Sequence, residues 1–190
     1  MCSSDLVGAH FHGSNRGAAY LFVAGPHGWS QRQELLGSAG DPFDQFGVSV
    51  ALNGNGRTAL VGAVGRNSFH GVAEVFVEAP HLWSKRAELT ANDGTPGDDF
   101  GLAVALSGDG NEALVGAAGK SSFQGAAYVY GRRGQGWSQR QELTASDGAP
   151  GDEFGLAVAL DGNGTTALIG APTPFMSTSG TGAAYVYRPR

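Results

Sequence analysis

The sequence predicts an all-β protein made of repeated sheets of four antiparallel strands, and two observations carry that prediction. One stretch occurs three times at a constant spacing of 54 residues, at Phe46–Leu52, Phe100–Leu106 and Phe154–Leu160. In each copy, large apolar residues alternate with Gly, Ser or Ala, which is the period-two pattern of a strand with one bulky and one thin face. A thin face lets another sheet approach closely, so we expect these strands to be buried between neighbouring copies.

Each repeat contains four strand signals, which we name A to D in chain order. Strand A is the Phe-Gly stretch, and it ends in a turn of Gly with Asn or Asp that supplies the positive φ of a tight hairpin to strand B. The predicted B strands cover residues 58–63, 112–117 and 166–171, the C strands 72–77, 126–130 and 183–187, and the D strands 29–35, 83–89 and 137–143. Charged residues at alternate positions of strand D suit the outer edge of a sheet. This arrangement is typical of a β-propeller blade.

The 190 residues contain no linker-like break, so we expect a single domain. Only B, C and D signals precede the first A strand, and only B and C signals follow the last one. We therefore predict a partial propeller with two full and two incomplete blades, at residues 5–37, 44–90, 98–144 and 152–188. We expect the exposed lateral face of the last blade, which contains Phe154–Leu160, to be apolar and prone to self-association.

The composition argues against several classes of function. The net charge is −5 and no Lys/Arg cluster is present, so nucleic acid and anionic membranes are not expected as partners. No apolar run approaches the roughly 18 residues of a membrane span, so no membrane insertion is expected, and no signal peptide is visible. The chain has no Gly-x-Ser-x-Gly elbow, His-Glu-x-x-His motif or phosphate-binding loop, so we expect no enzymatic activity.

The repeated motifs resemble the FG-GAP repeat across about residues 5–188. Phe-Gly at the head of strand A is followed by Val-Gly-Ala in strand B and Gly-Ala-Ala-Tyr in strand C, close to the bacterial form of the repeat. This resemblance implies the propeller of integrin α subunits and bacterial surface proteins. It also implies a non-enzymatic module that binds another protein at the cell surface or outside the cell. The alternative is a structural or carbohydrate-binding module, in which Trp29, Trp83 and Trp137 would stack on sugars.

The resemblance raises calcium as a cofactor, because many FG-GAP repeats hold calcium in an Asp-rich loop between strands A and B. The equivalent loops here carry at most one carboxylate each and are too short for a cation that takes about 6–8 oxygen ligands. We therefore expect no cofactor, with Asp161 and Asn163 as weak calcium candidates. Asp98 and Asp152, in the loops before strand A, are further weak candidates, because an Asp at such a place more often fixes a turn.

The loops between strands B and C differ most between copies, and in a propeller they share one face with the loops between strands D and A. A repeated framework that carries variable loops is typical of a recognition surface. We expect the tips of that surface to be His10, His12, Arg66, Lys120 and Phe175. The other interpretation is that these loops vary because nothing constrains them.

Overall fold

The structure is a computed structural model of the chain, and it describes residues 4–80, 82–172 and 181–188. The described residues form an all-β fold. Its strands are β1 (Ser4–Ala9), β2 (Ala18–Gly25), β3 (Gly28–Leu35), β4 (Phe46–Leu52), β5 (Thr58–Ala63), β6 (Val72–Glu78), β7 (Trp83–Leu89), β8 (Phe100–Leu106), β9 (Glu112–Ala117), β10 (Ala126–Arg133), β11 (Gly136–Leu143), β12 (Ala157–Leu160), β13 (Ala167–Ala171) and β14 (Ala183–Tyr187). No helix in these ranges has the length and apolarity that a membrane-spanning helix needs.

The strands form four antiparallel sheets, which follow one another along the chain. Blade 1 contains β1–β3, blade 2 contains β4–β7, blade 3 contains β8–β11 and blade 4 contains β12–β14. Two full blades are therefore flanked by a blade without strand A and a blade without strand D. This arrangement confirms the predicted fold class. The contacts between successive blades are called joint 1, joint 2 and joint 3.

The last A strand begins later than the sequence predicted. It starts at Ala157, whereas Phe154 forms an isolated parallel bridge to Gly125 of blade 3. Gly155 has a φ of 95° and lies in a tight turn, in which the N–H of Leu156 donates to the carbonyl of Glu153. Gly47 and Gly101 make the same turn, but Phe46 and Phe100 also pair with Ala63 and Ala117, whereas the pairing of the last A strand begins at Ala157. In all three repeats the Phe forms a bridge to the preceding blade.

Apolar layers between successive blades form the core. At joint 1, for example, Leu21 of blade 1 and Phe46 of blade 2 belong to one buried cluster. The small residues of the thin face permit a very close approach, because a side chain added at Gly62 would lie 2.0 Å from the carbonyl oxygen of Gly101. The hairpins between strands A and B of successive blades also meet through glycine. The N–H of Gly54 donates to the carbonyl of Gly108.

The two terminal blades each leave one apolar sheet face exposed. Val7 of blade 1 is 48% exposed, although the residue at the same position of blade 2, Val61, is fully buried. On blade 4, Val186 is 68% exposed, whereas the equivalent Val129 of blade 3 is 1% exposed. These exposed faces therefore match the faces that pack against each other inside each joint. The open face of blade 4 is apolar, as the sequence analysis expected.

The loops between strands B and C contain short turns that the sequence analysis did not predict. These turns are α1 (His12–Asn15), α2 (Arg66–Phe69) and α3 (Lys120–Phe123), and each one contains residues with non-helical positive φ. Asn67, Ser68 and Phe69, for example, have φ values of 53°, 59° and 62°. Consecutive residues in this region describe a left-handed turn, which is unfavourable for residues with a Cβ atom. Contacts with the next blade must therefore compensate for the free-energy cost of this turn.

Candidate functional site

One face of the arc of blades carries both sets of loops that the sequence analysis placed together. We call it the loop face, and in the described chain it comprises residues 10–17, 36–45, 64–71, 90–99, 118–125 and 144–153. Backbone hydrogen bonds join the two sets at each joint. At joint 2, the N–H of Asp99 donates to the carbonyl of Phe69 at 3.0 Å, and the N–H of Phe100 donates to that of His70 at 3.2 Å. The loop face is therefore continuous from blade to blade.

Three of the expected tips occupy the same position in successive blades, and each pairs with a glutamate of strand D. The pairs are His12 with Glu34 at 3.7 Å, Arg66 with Glu88 at 3.5 Å, and Lys120 with Glu142 at 3.8 Å. The side chains of Arg66 and Lys120 are only 16% and 14% exposed. The expectation that they form exposed tips is wrong, because carboxylates below the loops draw both cations into the joint.

The other two residues that were expected to be tips are His10 and Phe175. The ring of His10 packs against the exposed ring of Phe11, with 4.0 Å between their centroids. His10 is itself half-buried, so Phe11 is the more exposed residue of this pair. Phe175 lies outside the residues that the structure describes.

Joint 1 contains a buried charged network around Glu74 of strand β6. One oxygen of Glu74, Oε1, accepts hydrogen bonds from the Ser38 hydroxyl at 2.6 Å, from Lys85 Nζ at 3.1 Å and from Arg66 Nη1 at 3.2 Å. Lys85 also donates to Glu88 at 2.7 Å. Desolvation acts to raise the pKa of Glu88, but its contacts with Lys85, Arg66 and Ser38 together lower this pKa. Two acids and two bases thus balance within the joint, although Glu74 Oε2 has no partner.

Joint 2 also pairs a cation of low exposure with a carboxylate, but it uses different residues. Tyr128 occupies the position of Glu74, and its hydroxyl donates to Asp93 Oδ1 at 3.0 Å. Lys120 pairs with the other oxygen of Asp93, and joint 1 has Ala39 in the position of Asp93. Desolvation acts to raise the pKa of Asp93, but the bonds from Lys120 and Tyr128 lower it overall. Burial and the bond to Asp93 raise the pKa of Tyr128.

The hairpin candidates for calcium use their oxygens within the turn. Asp161 Oδ1 accepts the N–H groups of Thr165 at 2.7 Å and Thr166 at 3.0 Å, and these bonds lower the pKa of Asp161. Asn163 is exposed in the same hairpin. Among the described residues, no group of three or more His, Cys, Asp or Glu side chains could hold a metal ion.

The aspartates before strand A also accept hydrogen bonds within their own loops. Each accepts the backbone N–H of the residue three positions earlier, in the pairs Asp44 with Asp41 at 3.1 Å, Asp98 with Thr95 at 2.9 Å, and Asp152 with Ala149 at 2.7 Å. Asp98 also accepts the Thr95 hydroxyl at 2.8 Å and is buried. This is the geometry of a residue that fixes a turn.

The structure identifies exposed aromatic residues on the loop face that the sequence analysis missed. Besides Phe11, described above, they are Phe43, Phe69 and Phe123, which are 61%, 43% and 52% exposed. All three have a positive φ, of 72°, 62° and 62°. One signal was available in the sequence, because Phe69 and Phe123 each follow a Ser and lie 54 residues apart.

The three tryptophans do not form a uniform surface. Trp83 is buried in the core of joint 1, and Trp137 packs against the core of joint 2. Trp29 is 55% exposed, because no blade in this chain covers the corresponding face of blade 1. Packing between blades therefore accounts for Trp83 and Trp137.

The sequence model of the FG-GAP repeat family matches residues 29–76, 83–130 and 137–187. The chain belongs to the FG-GAP repeat family. Each matched repeat begins at the Trp of strand D and ends in strand C of the following blade, so one sequence repeat spans one joint. A comparison with curated proteins finds no match. FG-GAP propeller repeats are typically non-catalytic interaction modules.

Proposed function

We propose that this FG-GAP module binds another protein through its loop face and has no catalytic role. The exposure of Phe43, Phe69 and Phe123 on that face is the observation that carries the proposal. Aromatic side chains are enriched at protein interfaces because they bury a large area with few rotatable bonds. FG-GAP repeats are typical of extracellular proteins, which supports our proposal that the module acts at the cell surface or outside the cell.

The backbone beneath the exposed rings is held in place before any partner binds. The carbonyl of Phe123 accepts the N–H of Gly151 at 3.1 Å and that of Glu153 at 2.7 Å. The carbonyl of Phe69 makes the equivalent pair of bonds at joint 2. A surface ordered in this way loses less conformational entropy on binding. This order supports the loop face as a recognition surface.

A displayed library of random peptides, selected on the immobilised chain, tests this function. Ala149→Arg places a bulky cation on an exposed loop-face position, whereas Asn163→Arg places the same group on an exposed hairpin of the opposite face. We expect the selected peptides to lose binding to the Ala149→Arg variant and to keep binding to the Asn163→Arg variant. Peptides that respond only to Asn163→Arg, or a selection without enrichment, would contradict the proposal.

The carbohydrate-binding alternative receives less support from the tryptophans. Only Trp29 is well exposed among the three, and it lies on the open face of blade 1 and not on the loop face. Saturable binding of a glycan that is lost in Trp29→Ala would favour this alternative. Binding that is unchanged in Trp29→Ala but lost in Trp137→Ala would place the sugar in joint 2.

We also propose that the exposed end faces support self-association. Val7 and Trp29 on blade 1, and Leu168 and Val186 on blade 4, are at least 47% exposed at positions that are buried or partly buried in the other blades. Sedimentation velocity should show a weight-average mass that rises with protein concentration. Trp29→Ser with Leu168→Ser should lower that mass toward the monomer, and an unchanged mass would contradict the proposal.

A further inference from the structure

Each joint exposes one phenylalanine where its two loops meet. At joint 2 this residue is Phe69, whose carbonyl accepts the N–H of Gly97 at 3.1 Å. At joint 3, Phe123 and Gly151 form the same pair. The Phe therefore belongs to the loop between strands B and C, and the Gly belongs to the loop before strand A.

Joint 1 has this arrangement reversed. Phe43 occupies the position of Gly97, and Asn15 occupies the position of Phe69. The two loops still meet there, because the N–H of Gln45 donates to the carbonyl of Asn15 at 2.9 Å, as the N–H of Asp99 does to that of Phe69 at joint 2. A single exposed ring thus recurs at each joint although the loop that supplies it changes.

Local stability does not account for these rings. A bulky residue at positive φ is an outlier, whereas Gly and Asn adopt this conformation readily. Asn15 takes the position of Phe69 at joint 1, and Gly97 takes the position of Phe43 at joint 2, both with a positive φ. Residues with less backbone strain therefore fit the same turns. At 43% to 61% exposure, the rings also gain little from packing.

The surroundings of the rings are acidic at joints 2 and 3. Asp99 and Glu153 directly precede Phe100 and Phe154, and neither lies within 4.0 Å of a basic group among the described residues. Burial, and then the neighbouring carboxylates of Asp98 and Glu153, raise the pKa of Asp99. The cations of the same loops, Arg66 and Lys120, are already neutralised inside the joints. A ligand here therefore encounters apolar rings flanked by negative potential.

We propose that Phe43, Phe69 and Phe123 form an aromatic row that binds an extended, basic and apolar segment of a partner protein. Apolar side chains of the segment contact the rings, and its Lys or Arg side chains face Asp99 and Glu153. This inference rests on the proposed function and specifies the chemistry of the partner. It differs from nucleic-acid binding, because the flanking charges would repel phosphates.

Two synthetic peptides test the proposal by fluorescence anisotropy with the full chain. One alternates Lys with Leu, and the other carries Glu in place of each Lys. We expect saturable binding of the Lys peptide alone, weakened by added salt. We expect Phe69→Asn with Phe123→Asn to weaken that binding at least about tenfold, as loss of aromatic anchors does. Equal binding of both peptides, or no binding of the Lys peptide, would overturn the proposal.

The replacements are chosen from the protein's own joints, so folding serves as the control. Asn stands at the position of Phe69 in blade 1, and Phe43→Gly introduces the residue of the other joints. Asn suits a left-handed backbone, so the melting temperature of the Phe69→Asn and Phe123→Asn variants should stay equal or rise. A fall of several degrees would show that the rings pack structurally and would overturn the aromatic row.

The variants at Ala149 and Asn163 separate this proposal from the broader one. If Ala149→Arg abolishes peptide binding while the Phe variants bind normally, the loop face remains the binding surface and the aromatic row is wrong. If neither change affects binding, both proposals fail. If the Phe variants alter the sedimentation behaviour of the chain, the rings join two copies of it, and the proposed partner is wrong.

Discussion

Joint 1 and joint 2 share one backbone design but place their acidic group on different elements. In joint 1 the carboxylate is that of Glu74, fully buried on strand β6, and the loop position holds Ala39. In joint 2 the carboxylate is that of Asp93 on the loop, and the strand position holds Tyr128. In both joints a cation of the same loop position pairs with this acid.

The difference shows that the requirement for an acid belongs to the joint and not to a position of the repeat. A cation held at low exposure needs a carboxylate within reach, since an uncompensated buried charge is costly. Either the strand or the loop can supply that carboxylate. The exposed aromatic residue of each joint varies in the same way. Phe43 belongs to the loop before strand A, whereas Phe69 belongs to the loop between strands B and C.

The largest loss of stability is expected when the buried acid of joint 1 is removed. Glu74→Gln leaves Arg66 and Lys85 with one carboxylate between them, and we expect the free energy of unfolding to fall by about 3 kcal/mol. Asp93→Asn in joint 2 is the matched control, and the side chain of Asp93 is 47% exposed. We expect it to cost less than about 1 kcal/mol in urea denaturation. Equal losses of unfolding free energy in Glu74→Gln and Asp93→Asn would contradict this difference between the two joints.

A transplant of the acid between elements should restore part of this loss. Glu74→Tyr alone removes the fully buried carboxylate of joint 1, whereas Glu74→Tyr with Ala39→Asp rebuilds the pair that joint 2 contains. We expect the double variant to recover about 1–2 kcal/mol relative to Glu74→Tyr, as coupled neighbours do. A double-mutant cycle of unfolding free energies measures this coupling, and a value near zero would mean that the two joints are not interchangeable.

The exposed acid of joint 2 should give a small dependence of stability on pH. The pKa of Asp93 is lowered in the folded chain, so its contribution to stability is complete above its unfolded pKa of about 4. That contribution is lost as the pH falls through the lowered folded value. The stability difference between wild type and Asp93→Asn should therefore close under acidic conditions, and a difference that widens below about pH 4 would contradict this assignment.

The smallest effect is expected from removal of calcium. The joints are balanced by side-chain charges, and Asp161 already accepts two backbone N–H groups. We expect a chelator to leave the melting temperature unchanged. A fall of several degrees, reversed by added calcium, would show that a cation and not the charge network dominates the stability of the arc.

The repeating strands could be predicted from the sequence, whereas the contents of the joints could not. The alternation in Phe100–Leu106 is a local pattern, and it indicates a strand without reference to any other residue. The left-handed turn at Phe69 depends instead on hydrogen bonds from residues about thirty positions later, at Gly97 and Asp99. No local pattern reveals such a dependence.

The exposure of charged loop residues was predicted wrongly for a related reason. Arg66 and Lys120 stand in variable loops, where charged side chains usually face solvent. Their burial follows from carboxylates that other elements place beneath them, at Glu74 and Asp93. A glutamate at a strand position where the other copies have Tyr was the available signal for joint 1.

The glycine contacts of the joints have a consequence for how such chains change in length. The hairpins connect through Gly54, Gly108 and Gly162, each donating to or accepting from the next. Because joints 2 and 3 make the same glycine contact, an in-frame duplication or loss of one unit preserves this backbone contact at the joints that remain. Recombination between repeats can therefore change the number of blades in single steps, and only the side-chain pairs inside each joint have to adjust.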